Sequence, residues 1–174
     1  MKKKIFLILL LFVIINIYKI TNENIIIPNS SIRLRVIPNS NNPIDINIKE
    51  KVKIYLENNI YSLTKDTKDI DTARNIINTS IPSIKENINN IFENNNYHLP
   101  YEVNYGNNYF PKKVYKGITY EEGYYESLVI SIGEASGDNW WCVLFPNFCL
   151  VDTKEKHEYK SYFKELLNKS FKKS

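Results

Sequence analysis

Apolar positions along this chain switch between a period of two and a period near 3.6, and the switches mark out the elements. Ile32, Leu34 and Val36 alternate with Arg33 and Arg35, which predicts a strand with one apolar face and one face carrying two guanidinium groups. Pro38 to Pro43 is turn chemistry, with Asn42 placed to cap a helix, Pro43 at its first position and Asp45 in its first turn. The helix that follows puts Ile44, Ile48, Val52, Tyr55, Asn59 and Leu63 on one stripe, read as its core face. A second helical pattern runs through Ala73, Ile77 and Ser80; Pro82 predicts a break before a third through Ile84, Ile88 and Ile91.

Period two returns at Pro100 to Tyr105, in a strand expected to end at Gly106-Asn107. Asn108 to Tyr120 reads as irregular, aromatic and lysine-containing. Tyr124 to Ile132 is the clearest strand, with Tyr124, Glu126, Leu128, Ile130 and Ile132 on one face and Tyr125, Ser127, Val129 and Ser131 on the other. Glu126 falls on the apolar face, where a carboxylate needs a partner. No second acid or histidine stands at a useful spacing for general-base work, so a structural ion pair is the better reading. Gly133 to Gly137 reads as a hairpin loop into the next strand, since a phosphate-cradling loop needs a helix to follow.

That next stretch, Asp138 to Leu150, holds both tryptophans and both cysteines. On a strand, Trp140, Cys142 and Leu144 share one face and Trp141, Val143 and Phe145 the other. Both faces are apolar, so the strand is either buried between two layers or keeps one face for a partner. A reversal at Leu144 to Asn147, with Pro146 in the turn, makes Cys142 and Cys149 cross-strand neighbours within reach of a disulfide. Two packed free cysteines, or a thiol nucleophile or metal ligand, are the alternatives. A nucleophile needs a base, and the histidines, His98 and His157, are far away in sequence.

These elements predict an α+β domain. Its mostly antiparallel sheet of about four strands comes from the Ile32, Leu99, Tyr124 and Asn139 segments, and two to three helices from Pro43 to Asn96 pack on one face. Around residues 32–150 lie a signal peptide or N-terminal anchor over 1–20, a linker over 21–31, and a basic amphipathic tail over 151–174. The first of these is a positive Met1 to Lys4 region followed by the apolar run Ile5 to Ile15, the pattern of an exported chain, and it leaves membrane contact by that segment open.

Charge narrows the function. The formal net charge is +4, but Lys2, Lys3 and Lys4 supply three of those charges. The tail is also positive, which leaves the domain slightly acidic and excludes a nucleic-acid binder that grips phosphates through its folded surface. No Walker sequence, zinc-ligand spacing or paired acidic motif is present, so no cofactor, metal, small-molecule substrate or catalytic set is expected.

Several segments taken in order carry a family resemblance: Ile32-Arg-Leu-Arg-Val-Ile-Pro-Asn-Ser40, Phe110-Pro111, Lys113, Tyr115, Gly123, Tyr125-Glu126, Leu128, Ile132-Gly133, Gly137, and Asn139-Trp-Trp-Cys-Val-Leu-Phe-Pro146 with Cys149. The chain resembles stage II sporulation protein R of endospore-forming bacteria over about Ile32 to Leu150. It departs from the family pattern at Ile46, Lys112, Glu121-Glu122, Val129, Ala135 and Asn147. The resemblance implies a non-enzymatic signal made in the forespore and exported to the space between forespore and mother cell. There it triggers a membrane-embedded aspartic protease that cleaves the pro-sequence of sigma E. The partner surface is expected on the sheet face opposite the helices, around Trp141 and Tyr125, with Phe110 and Tyr115 of the neighbouring loop. Structural roles are expected for Arg33, Arg35, Glu126, Trp140, Cys142 and Cys149. The competing readings are an exported hydrolase acting through Cys142 or Glu126 and a structural component tethered by an uncleaved Ile5 to Tyr18 segment.

Overall fold

The computed structural model of the chain describes residues 10–12, 25–26, 30–115 and 118–146. Most of the predicted export segment, Cys149 and the tail over 151–174 lie outside the described residues. The strands are β1 (Ile25–Ile26), β2 (Ile32–Ile37), β3 (Tyr101–Phe110), β4 (Lys113–Tyr115), β5 (Ile118–Tyr120), β6 (Gly123–Ile132) and β7 (Trp140–Phe145). Residues 10–12 are helical, and the helices of the domain are α1 (Pro43–Leu56), α2 (Ser62–Thr64) and α3 (Ile70–Glu93). A four-stranded mixed sheet runs β3-β6-β2-β7, with β2 parallel to β6 and the two outer pairings antiparallel. A smaller sheet runs β1-β5-β4. The α+β reading therefore holds.

The core lies between the main sheet and the helices. Ile32, Leu34, Val36, Leu128, Ile130, Ile132, Trp140, Cys142 and Leu144 meet Ile48, Val52, Leu56, Ile60, Ala73, Ile77, Ile84 and Ile88. The sheet half of this list is what the alternation predicts. Phe145 is the exception. Ile32 faces Phe145 but Arg33 faces Val143, so one extra β7 residue is inserted and Phe145 packs partly against the helix-side core.

The helices differ from expectation in phase and length. Ile44 and Leu63 are exposed, and the buried stripe is Asp45, Ile48, Lys49, Val52, Leu56, Ile60 and Thr64. Steps of four drift by about 40° each on a regular α-helix. A π turn over Glu57–Tyr61, which winds more slowly, keeps Ile60 and Thr64 facing the sheet. Asn42 stands at the N-cap with Pro43 behind it, but its side chain makes no capping bond. Pro82 does not break α3, which runs unbroken past it. The proline is exposed, while Ile77 and Ile84 on either side are fully buried. Docking of both halves on one core holds the helix together across the missing N–H, with the proline on its solvent side.

Two connections also depart from the sequence reading. β3 does not stop at Gly106-Asn107. It continues to Phe110, paired without a register shift along the whole of β6, and the expected irregular stretch contains β4 and β5. Gly133 to Gly137 is not a hairpin loop, because β2 lies between β6 and β7. The connection must cross the end of β2, and it is fastened there. The Glu134 N–H donates to Asn39 Oδ1 (2.9 Å), the Ser136 N–H to Asn39 O (3.1 Å) and the Asp138 N–H to Asn41 Oδ1 (2.6 Å). Gly133 has φ +55°, and a Cβ there would collide with Asn39 Oδ1; one on Gly137 would collide with the Ser40 carbonyl.

Candidate functional site

The alternation of β2 sends Arg33 and Arg35 to the sheet face opposite the helices. There, parallel pairing with β6 sets them beside Ser127 and Val129, and antiparallel pairing with β7 beside Val143 and Trp141. From the edge, Phe110 at the end of β3 folds over them. Aromatic rings and guanidinium groups alternate as a result. The Arg33 Cζ lies 3.3 Å from the Tyr125 ring centre and 5.5 Å from that of Phe110, while the Arg35 Cζ lies 4.7 Å from Phe110 and 5.5 Å from Trp141. Phe110 also meets Trp141 edge-on at 5.1 Å and Tyr125 at 6.1 Å. Ring faces are electron-rich, so each such contact contributes about 0.5–2 kcal/mol and offsets part of the cost of burying the cations. Burial nevertheless holds the Arg35 pKa below the ordinary arginine value.

This face is closed in the folded chain. Arg33, Phe110 and Ser127 are fully buried, and Trp141, Val143, Val129 and Tyr125 nearly so. Three of the four residues expected at a partner surface, Phe110, Tyr125 and Trp141, thus come together as one packed stack with the two arginines. Tyr115 is placed on β4, opposite Ile118 of β5, at the hairpin that follows Phe110. The stack therefore forms the root of that hairpin. Val114, next to Tyr115, is exposed.

Glu126 has the partner its position demands. Arg74 grips it with two forks, Nε to Oε1 at 2.9 Å and Nη2 to Oε2 at 2.8 Å, and the Tyr105 hydroxyl donates to Oε1 at 2.6 Å. Arg74 also reaches Asp71 Oδ1 at 2.8 Å. Hydrogen bonding from Arg74 first, then from Tyr105, outweighs burial and holds the Glu126 carboxyl below its ordinary pKa. A carboxylate clamped in its ionised form by a bidentate guanidinium is a structural tie and a poor general acid. Trp140 and Cys142 sit in the helix-side core, Cys142 fully buried. Among the described residues there is no free thiol and no cluster of histidine, cysteine and acidic side chains that could hold a metal.

Sequence reasoning missed Arg74 and a second polar knot. Asp45 is 5% exposed, and it accepts hydrogen bonds from Asn39 Nδ2 (2.8 Å), Ser40 Oγ (2.6 Å) and the Tyr97 hydroxyl (2.6 Å). Burial alone would raise its pKa, but the bonds from Ser40, Tyr97 and Asn39 prevail and the net shift is downward. One signal for Arg74 was available. Arginine occurs only three times among 23 basic residues. In all three places a planar guanidinium is used, stacked on rings or forked onto a carboxylate, where the ammonium of lysine would not substitute.

Comparison with known proteins gives the constellation a context. The family described as Stage II sporulation protein R (spore_II_R) matches residues 28–155, which takes in the whole main sheet and α1, α2 and α3. Stage II sporulation protein R of Bacillus subtilis (strain 168) is 34% identical over 134 residues, covering 77% of this chain and 60% of that protein's length. No solved structure matches the chain. With the match spanning every element that builds the arginine and aromatic stack, the chain belongs to the stage II sporulation protein R family.

Proposed function

We propose that this chain is an exported signal of sporulation that activates a membrane-embedded aspartic protease, and so triggers pro-sigma E processing in the mother cell. It acts from the space between forespore and mother cell by docking, with no bond made or broken by its own side chains. The observation that carries this reading is the family match over residues 28–155, preceded by a lysine-led apolar segment of export type. A ligand of this kind works by binding one state of the protease better than another, because only differential affinity moves a conformational equilibrium.

The contact is made by the β4–β5 hairpin, with Tyr115 and the exposed Val114 at the partner. Phe110, Tyr125 and Trp141, locked with Arg33 and Arg35, set its position from below. Cys142 and Cys149 form a disulfide that secures the end of β7. Against the hydrolase alternative stand the clamped state of Glu126 and the complete burial of Cys142. Mass analysis of the exported chain checks the bridge: a loss of two hydrogens is expected, and a free thiol at Cys142 would revive that alternative. Co-expression of the chain with the protease and its pro-sigma substrate outside sporulation tests the reading itself. Cleavage that requires the chain is expected, and Val114→Asp should abolish it while leaving export and folding intact. Absence of cleavage with all three proteins present and correctly located would overturn the proposal.

A further inference from the structure

The outer edge of β3 is a strand edge without the usual defences. Edge strands in monomers are commonly blunted by proline, lysine, a bulge or shortness, because their free N–H and C=O groups invite another strand. β3 is ten residues long, contains neither proline nor lysine, and pairs with β6 on its inner side from Tyr101 to Phe110 without a register shift. Among the described residues no strand pairs with its outer side. Its single charged side chain is Glu102, near one end. Tyr109 stands half-exposed on it, against the still more exposed Tyr124.

We propose that this edge pairs with the same edge of a second copy of the chain, antiparallel about a two-fold axis through Gly106, joining two four-stranded sheets into one. A two-fold axis normal to a sheet preserves its faces, so each residue can stand only opposite one of the same parity. Centring on Gly106 sets Val103 against Tyr109, Asn104 against Asn108 and Tyr105 against Asn107 of the copy. The neighbouring register, centred on Tyr105, would instead force together two rings that are each committed to Glu126. Charge is compatible with self-pairing. Glu102 falls opposite Phe110, and the two Glu102 carboxylates are separated by roughly 27 Å along the strands. Gly106 leaves only hydrogen at the axis, where the backbones approach most closely. It is not needed for the protomer's own fold, because a Cβ there meets nothing nearer than Asn104 Oδ1 at 3.7 Å.

That spare space makes Gly106 the test position. Sedimentation velocity on the purified full chain should show a concentration-dependent dimer. Gly106→Cys should oxidise to a covalent dimer as its major product, since paired residues at the axis have the Cα separation a disulfide requires. Tyr109→Cys, whose opposite number is Val103, should not. Gly106→Glu sets two carboxylates face to face and should return the chain to monomer, with the circular dichroism of wild type and an unfolding midpoint that no longer rises with protein concentration. A wild-type chain that stays monomeric at every concentration overturns the proposal, as does a dimer indifferent to Gly106→Glu or a Gly106→Cys chain that does not cross-link. Amide exchange then names the other occupant: slow exchange on alternate β3 residues of a monomer assigns the edge to the chain's own tail, and fast exchange leaves it open to a different protein.

Discussion

Replacing Asp45 by asparagine isolates the contribution of one buried charge to the placement of two connections. Its carboxylate ties the β2–α1 turn, through Asn39 and Ser40, to the α3–β3 connection, through Tyr97. Oδ2 accepts two of these hydrogen bonds and Oδ1 the third, so an amide in its place must aim its NH2 at a donor whichever way it turns. Hydrogen bonds to charged groups contribute about 1.5–3 kcal/mol each, and an orphaned buried donor costs about 1–3 kcal/mol. One set of partners survives in Asp45→Asn, which gives an expected loss of about 2–3 kcal/mol; Asp45→Ala, which orphans all three donors, should lose at least about 3 kcal/mol. For a domain of this size the asparagine variant should melt roughly 10 °C lower. The pH dependence follows from linkage. Because the folded carboxyl has a lowered pKa, its stabilisation is complete above the unfolded-chain value near 4 and is lost as pH falls through the folded value. Asparagine has no proton to take up. Urea titrations of both proteins should therefore show the gap at neutral pH narrowing below about pH 4. An Asp45→Asn chain as stable as wild type at pH 7, or a gap that does not shrink in acid, would refute the reasoning.

The other expectations use the same titrations. Arg74→Ala should cost only about 1–2 kcal/mol, because the paired side chains are 42% and 28% exposed and solvent screens them. Arg74→Lys should recover less than half of that, since one ammonium cannot reproduce the fork. Gly133→Ala should cost at least about 1–3 kcal/mol through its positive φ and the collision with Asn39, with a steeper loss if the β6–β7 crossing detaches. Pro82→Ala should raise stability by about 1–2 kcal/mol by restoring an N–H to an exposed helix position; a neutral or destabilising result would mean the proline shapes α3 in a way its exposure does not suggest.

Where one side of an element meets the core, its residues announced it. β2, β6 and β7 as far as Leu144 follow alternation because the helices cover one side of the sheet, and the faces assigned to Arg33, Arg35, Tyr125 and Trp141 were readable for that reason. The phase of α1 was not readable, because the π turn that realigns Ile60 and Thr64 has no local sequence signature. Nor was the far half of β3, where Gly106, Asn107 and Asn108 are poor strand formers held by unbroken pairing with Ser127, Glu126 and Tyr125 of β6. Continuity of α3 across Pro82 likewise depends on what lies beneath it. The stack was legible only in part, since alternation places four of its five members while the arrival of Phe110 depends on how far β3 extends. Arg74 and Glu126 lie 52 residues apart, and no local pattern joins them.

The most direct measurement of the central claim is dose-dependent cleavage of pro-sigma E by the protease reconstituted in vesicles, with the purified chain added from outside. If the chain acts by docking, cleavage saturates as the sites fill and ceases when the chain is washed away. Cleavage that continues at an undiminished rate after the bound chain has been removed from the vesicles would show that the chain acts chemically and would contradict the account.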